Sequence, residues 1–393
     1  MTDSFIFARI PRIEFGAGKF SMLPGIISAY GNKALIIAGW PSFMDSVKFN
    51  ELAGGLNARG VTYFVEQILG EPSPDFIDGV TGKYRSEGIC AVVSVGGGSA
   101  MDTGKAVSAM LKVDRPVATF LEGVGKESHP GVKVPFIAVP TTSGTGSEAT
   151  KNAVLSHIGD NGYKKSIRHD NFVPDVALID PELMISCPSA VTAACGMDSF
   201  VQLLESYVSV KPTPMTDALA LSGIEAVERS LASACTDGAS DTGVRSDMAY
   251  GALISGITLA NAGLGIIHGF ASSIGGFFNI PHGVICGTLL AATTKKNIKV
   301  LKEKDPYGIQ LNKHARVGAI LSRKVYDESK VPELCDLLVN TLYGWTEKLQ
   351  MPLLSRYGVT EADIERITAA TEHKNNAVKL SREDIAEILK ERI

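Results

Sequence analysis

Between Ala249 and Thr294 the chain has no Asp, Glu, Lys or Arg. A run of that length without charge must be buried, in a protein core or in a bilayer. Gly, Asn and His interrupt it repeatedly, and Pro281 falls inside it. A spanning helix needs about 20 predominantly apolar residues in one stretch, so a protein core is expected and a membrane is not. Other shortages narrow the class further. The six cysteines (Cys90, Cys187, Cys195, Cys235, Cys286 and Cys335) form no CxxC pair. Scattered among apolar residues, they read as reduced thiols of a cytoplasmic protein. The net charge of −4 leaves no basic footprint for nucleic acid. No basic segment followed by an apolar core opens the chain, so no secretory signal is expected. Repeats and low-complexity stretches are also missing.

What is present is room for two domains in 393 residues, with 45% apolar and 20% charged residues, the proportions of a soluble globular protein. In the first half, apolar runs alternate with helical patterns. Ile6–Phe15, Lys33–Ala38, Val61–Glu66, Ile89–Val95, Pro135–Val139 and Val176–Asp180 read as strands. Ser46–Arg59, Pro74–Glu87 and Asp102–Leu111 read as helices. Such alternation implies βαβ units and a parallel sheet. Ala149–His157 and Tyr163–His169 read as a hairpin around GDNG. From Pro188 onward only helices are expected: Pro188–Val210, Thr216–Ala232, Ser246–Leu259, Thr288–Val300, Lys313–Leu321, Val331–Lys348, Thr360–Thr371 and a capped Ser381–Arg392. The fold class is therefore an α/β N-terminal, Rossmann-like dinucleotide-binding domain (1–187) followed by an all-α, metal-binding C-terminal domain (188–393).

The chemistry concentrates in two places. His268 and His282 stand in the charge-free run. A buried imidazole without a partner costs about 1–3 kcal/mol, and neutral imidazole is the commonest metal ligand. On the Pro188–Val210 helix, Asp198, Gln202 and Glu205 are spaced i, i+4, i+7 and share one face. Two histidines, a carboxylate and an amide can make a four-ligand site; satisfied core histidines are the alternative. In the first half, Gly96–Ser99 lies between a strand and a helix, where backbone N–H groups suit a phosphate. A strand-to-helix turn needs glycine in any case. Thr141, Thr142, Ser143, Thr145 and Ser147 form a hydroxyl-rich loop after the next strand, either a ligand loop or a polar cap. Lys105 reads as a solvated position. His129, His157, His169, His314 and His373 read as surface or loop residues.

Four stretches, GGGSAMDTGKAV, PTTSGTGSEAT, GMDSFVQLLESYVS and the segment from His268 to NIPHG, together resemble the iron-containing (group III) alcohol dehydrogenase family, of dehydroquinate synthase-like fold, in order over nearly the whole chain. The resemblance implies an NAD- or NADP-linked alcohol dehydrogenase or aldehyde reductase, a homodimer, with Fe²⁺ or else Zn²⁺ bound. Metal ligands would be Asp198, Gln202, His268 and His282, with Glu205 hydrogen-bonded behind them. Cofactor contacts would come from Gly39, Gly96, Gly97, Gly98, Ser99, Asp102, Thr141, Thr142, Thr145, Ser147 and Lys164. Three positions depart from the family pattern. Gln202 stands where a histidine is usual, and an amide oxygen is a weaker, harder ligand. Ser272 replaces a histidine that relays protons, so proton transfer would pass through its hydroxyl or through a ribose hydroxyl of the cofactor. Gly39, followed by Trp40, Pro41 and Ser42, replaces an Asp that binds the adenosine ribose, which permits a 2′-phosphate. A maleylacetate reductase- or glycerol dehydrogenase-like enzyme, or a cofactor-binding homologue with weakened catalysis, would carry the same fold.

Overall fold

The structure, a computed structural model, describes residues 4–39, 41–159 and 162–393. Trp40 and the Asp160–Asn161 centre of the GDNG turn lie outside the described residues. The chain forms two compact units: Ala8–His157 with Lys164–Cys187, and Pro188–Ile393 with Met1–Phe7 and Ile158–Tyr163. The two short pieces that cluster with the helical unit depart from the simple 1–187 and 188–393 division.

Among the described residues the first unit is built on eight strands: β1 Arg12–Phe15, β2 Lys33–Ala38, β3 Thr62–Gln67, β4 Ala91–Gly96, β5 Phe136–Pro140, β6 Asn152–His157, β7 Tyr163–Arg168 and β8 Val176–Ile179. Six of them make a sheet in the order β1-β8-β5-β4-β2-β3, every pairing parallel. Strands β4, β5 and β8 are buried along their length, as is β2 after Lys33. Burial on both faces explains why they read as continuous apolar runs. β6 and β7 pair apart from this sheet. The expected strand from Ile6 begins to pair only at Arg12.

The second unit is helical. Ser189–Tyr207, Pro214–Ala234 and Thr242–Ala262 pack on one another, and His282–Lys304 packs on Ser189–Tyr207 and on Ile266–Phe277. The starts are written in local chemistry: Thr213 and Thr216 close a capping box ahead of Pro214, and Ser381 and Asp384 close another. Among the described residues no single helix is long and apolar enough to cross a membrane. Thr242–Ala262 and Ile266–Phe277 pass that test only as a pair, bent by 99°. One boundary matters for the site: the helix expected from Thr288 begins at His282, directly after Pro281.

Candidate active site

Within the first unit the carboxyl ends of three neighbouring strands meet. Gly39 follows β2, Gly96 ends β4 and Thr141 follows β5. Gly39 N donates to Val95 O (2.9 Å), and Thr141 N donates to Gly96 O (2.9 Å). A helix, Gly98–Met110, starts immediately behind, with Gly97 as its N-cap. The glycines are required by crowding. A Cβ at Gly96 would lie 2.6 Å from Ala100 Cβ and 2.9 Å from Gly39 Cα, and one at Gly98 would lie 2.7 Å from Thr145 Cγ2. This leaves a bare backbone turn at a helix N-terminus, flanked by Thr142 and Thr145, the geometry that accepts a pyrophosphate. The Thr141 hydroxyl is buried and makes no hydrogen bond.

Two expectations for this turn are corrected. Lys105 is not solvated; it is 1% exposed. Its Nζ lies 2.8 Å from Ser147 O and Asn152 O and 3.0 Å from the Ser147 and Thr150 hydroxyls. Burial pulls this lysine down to about 8, against Asp102 and Glu148, which raise it. Asp102 does not face a ligand with a free oxygen. Ser147 Oγ donates to its Oδ1 (2.5 Å) and Val154 N to its Oδ2 (3.0 Å). Lys105 and Asp102 therefore tie the hydroxyl loop to the helix behind the turn. Lys164 is largely buried and pairs with Glu71 at 3.0 Å.

The helical unit assembles the second cluster from three helices. Asp198 comes from Ser189–Tyr207, His268 from Ile266–Phe277 and His282 from the first residue of His282–Lys304. Close approach of the first and third depends on Gly283 and Gly287. A Cβ on Gly283 would lie 2.4 Å from Ala194 O, and one on Gly287 would lie 2.9 Å from Met197 Cβ. Asp198 Oδ1 sits 3.5 Å from His268 Nε2 and 3.6 Å from His282 Nε2. That oxygen is buried and makes no hydrogen bond. A buried carboxylate oxygen that faces two imidazole nitrogens, at separations too long for good hydrogen bonds, fits a cation between them.

Glu205 holds the cluster from behind. Its Oε2 meets His268 Nδ1 at 2.7 Å and its Oε1 accepts from Ile267 N at 2.7 Å. This fixes His268 with Nε2 turned to Asp198, the carboxylate–histidine arrangement of metal ligands. Burial works against charge on His268, but Cys286, Asp198 and Glu205 outweigh it and hold its proton well above the ordinary imidazole range. Asp198 is held below the usual carboxylate range: burial opposes this, and His282 and His268 overcome it.

Gln202, expected as a ligand, is placed differently. Its Nε2 donates to Asp198 Oδ2 (3.0 Å) and its Oε1 accepts from Ser255 Oγ (2.6 Å). The amide oxygen is occupied, so Gln202 orients Asp198. The position beside the two histidines belongs to Cys286, fully buried, whose Sγ is 3.8 Å from His268 Nε2 and 3.7 Å from His282 Nε2. Asp198, His268, His282 and Cys286 each offer one ligand atom, all within 4.8 Å of one another. Burial pushes the Cys286 thiol up to about 12, against His268, which lowers it. The i, i+4 spacing of His282 and Cys286 was visible in the sequence, but only to a reader who starts the helix at His282. Ser272 donates to His268 O (2.8 Å), and Lys374, which the sequence did not single out, donates to that carbonyl (2.9 Å) and to Ser272 Oγ (3.2 Å). His129 and His314 are buried, not surface residues, and burial takes both down to about 4.

Comparison with known proteins shows the family. Residues 11–181 match the family model for iron-containing alcohol dehydrogenase, and residues 192–393 match the C-terminal model of the Fe-containing alcohol dehydrogenase family. The chain is 31% identical over 389 residues to alcohol dehydrogenase 4 of Saccharomyces cerevisiae, covering 97% of each chain. It is 34% identical over 281 residues to long-chain-alcohol dehydrogenase 1 of Geobacillus thermodenitrificans, covering 71% of this chain and 70% of that one. The crystal structure of a 1,3-propanediol oxidoreductase superposes with a TM-score of 0.87 at 25% identity, over 100% of both chains. Other relatives are named as NAD-dependent and as NADPH-dependent enzymes.

Proposed function

Because the chain belongs to the iron-containing alcohol dehydrogenase family, and is thus a metal-dependent, NAD(P)-linked oxidoreductase of CH–OH groups, we propose that it interconverts an aldehyde and a primary alcohol through the residues described above. The balance is RCHO + NAD(P)H + H⁺ ⇌ RCH₂OH + NAD(P)⁺. When bound, a divalent ion supplies Lewis-acid polarisation of the carbonyl oxygen, and the nicotinamide supplies the hydride. Asp198, His268 and His282 would hold the ion, with Gln202 and Glu205 fixing the first two. The backbone of Gly96–Ser99 would receive the cofactor pyrophosphate, and Thr141, Thr142, Thr145 and Ser147 would line the nicotinamide end. Asp102 would serve by holding Ser147, and Lys164 would contact the nicotinamide ribose. Ser272 and Lys374 pass a solvent proton to the product oxygen.

The observation that carries this reading is the buried Asp198 oxygen without a hydrogen bond, facing two imidazoles. Elemental analysis and aldehyde-dependent NAD(P)H oxidation test it together. We expect about one ion per chain, lost with activity in His268→Ala. Full turnover by a metal-free preparation would sink it. Gly39 supports use of NADPH, since no carboxylate at that strand end repels a 2′-phosphate. A kcat/KM that favours NADH by more than about tenfold, or 1.4 kcal/mol, would refute an NADPH preference.

A homodimer in the cytoplasm is the assembly and location that the family resemblance implies. Ile6, 92% exposed, and the exposed Phe5 and Ile10 lead into the edge strand β1, and a second copy would cover them. Sedimentation velocity of the chain against an Ile6→Lys variant reads that assembly. A monomer for the unsubstituted chain would exclude it.

A further inference from the structure

We propose that Cys286, as a thiolate, is the fourth protein ligand of the metal centre, so that the ion is held by one carboxylate, two imidazoles and one sulfur. The inference rests on the metal-centre reading above and goes beyond it in naming the donor set. Two observations carry it.

The first is that both polar atoms of the Gln202 amide are engaged elsewhere. Its oxygen accepts from Ser255 and its nitrogen donates to Asp198. Both contacts lie among residues no more than 2% exposed, so turning the amide toward an ion would take from Asp198 Oδ2 the donor that orients it. The second is distance. Zinc-like bond lengths of about 2.0–2.1 Å to N, 2.0–2.2 Å to O and 2.3 Å to S place tetrahedral donors about 3.4 Å apart for N and O and about 3.6 Å apart for N and S. The corresponding separations here are 3.5 and 3.6 Å from Asp198 Oδ1 to the two imidazole nitrogens. From Cys286 Sγ to the same nitrogens they are 3.8 and 3.7 Å. These four separations lie within about 0.2 Å of the tetrahedral values, and all four donor atoms lie within 4.8 Å of one another.

Binding breaks the Cys286 S–H bond, releases its proton to solvent and forms the sulfur–metal bond; no electron changes hands. A thiolate among the ligands shifts the site toward zinc- and cobalt-like ions relative to an all-oxygen-and-nitrogen set.

The test uses cobalt as a spectroscopic stand-in. Full-length enzyme stripped of metal is reloaded with Co²⁺, and both metal content and absorption are read. We expect about one cobalt per chain and a thiolate-to-cobalt charge-transfer band in the near ultraviolet. The band should vanish in Cys286→Ser and persist in Gln202→Leu and in Cys335→Ser, which alters the other buried cysteine. Zinc affinity of Cys286→Ser should fall by more than about a hundredfold, beyond the loss of an outer-shell partner. Cobalt bound with only ligand-field bands, or a charge-transfer band that survives Cys286→Ser, would overturn the thiolate ligand and leave the metal centre standing. No cobalt uptake would overturn both. If Cys286→Ser does not fold, the unsubstituted spectrum decides: a charge-transfer band that survives Cys335→Ser supports the thiolate ligand, and its absence overturns it.

Discussion

Glu205 touches no reacting atom, yet it determines which nitrogen His268 presents. Its two oxygens are committed to His268 Nδ1 and Ile267 N. Glu205→Gln keeps the size and one acceptor but removes the charge that favours Nδ1–H. Metal affinity should drop about 10–100-fold, read by competition with a zinc chelator, while the thermal midpoint of the metal-free protein changes little. An unchanged affinity would show that His268 keeps its orientation without the carboxylate. The same scale holds a pH effect. His314 is 1% exposed and titrates at about 4 when folded against about 6.5 as a free side chain. Between those values the unfolded chain binds the extra proton, so this residue lowers stability as pH falls from about 6.5 to 4. The loss is at most about 1.4 kcal/mol per pH unit. His314→Gln should therefore flatten the acid limb of the stability curve; an equally steep limb would assign the titration elsewhere. At this scale the sequence was legible where a residue type is rare in its surroundings. His268 and His282 stand out in a charge-free run, and Asp198 stands out on an apolar helix face. Lys105 was not legible. Its partners, Ser147, Thr150 and Asn152, lie more than 40 positions away, so burial could not be told from an ordinary helix lysine.

Elements decide which of these side chains meet. The parallel sheet announced itself because β2, β4, β5 and β8 are apolar on both faces, and a strand buried on both faces leaves an uninterrupted run. The start of the His282–Lys304 helix was harder. His282, Gly283 and the residues after them carry no hydroxyl or carboxylate cap, and the only local sign is Pro281 just ahead. Placing that start at Thr288 left His282 and Cys286 off the helix that puts them on one face. Gly283 and Gly287 then bring this helix against Ser189–Tyr207. Gly283→Ala would press a methyl group against the Ala194 carbonyl at 2.4 Å. Overpacking of this kind costs about 1–3 kcal/mol, and here the strain moves His282 away from Asp198. We expect a lower urea midpoint for the metal-free protein together with weaker metal binding. A stability loss with unchanged affinity would mean that the helix shifts along its own axis without moving His282.

At the scale of the whole molecule, each unit has its own ligand chemistry: a bare backbone turn with hydroxyls in one, and a buried carboxylate–imidazole–thiol cluster in the other. A ligand that binds only the folded state stabilises it by mass action, and its protection is greatest where backbone groups are fixed by the contact. Hydrogen exchange followed by mass spectrometry should therefore separate the two. Zinc added to the metal-free chain should slow exchange in Ser189–Tyr207, Ile266–Phe277 and the first turns of His282–Lys304. NADPH without metal should slow it at the end of β4, at the start of Gly98–Met110 and through the 141–147 loop. The pattern follows from the hydrogen bonds already present: Glu205 to Ile267 N carries protection from metal to backbone, and Ser147 through Asp102 to Val154 N carries it from cofactor to β6. Metal protection falling on β4 and the glycine turn, with none in the three helices, would place the ion elsewhere and remove the assignment of Asp198, His268 and His282 at one stroke.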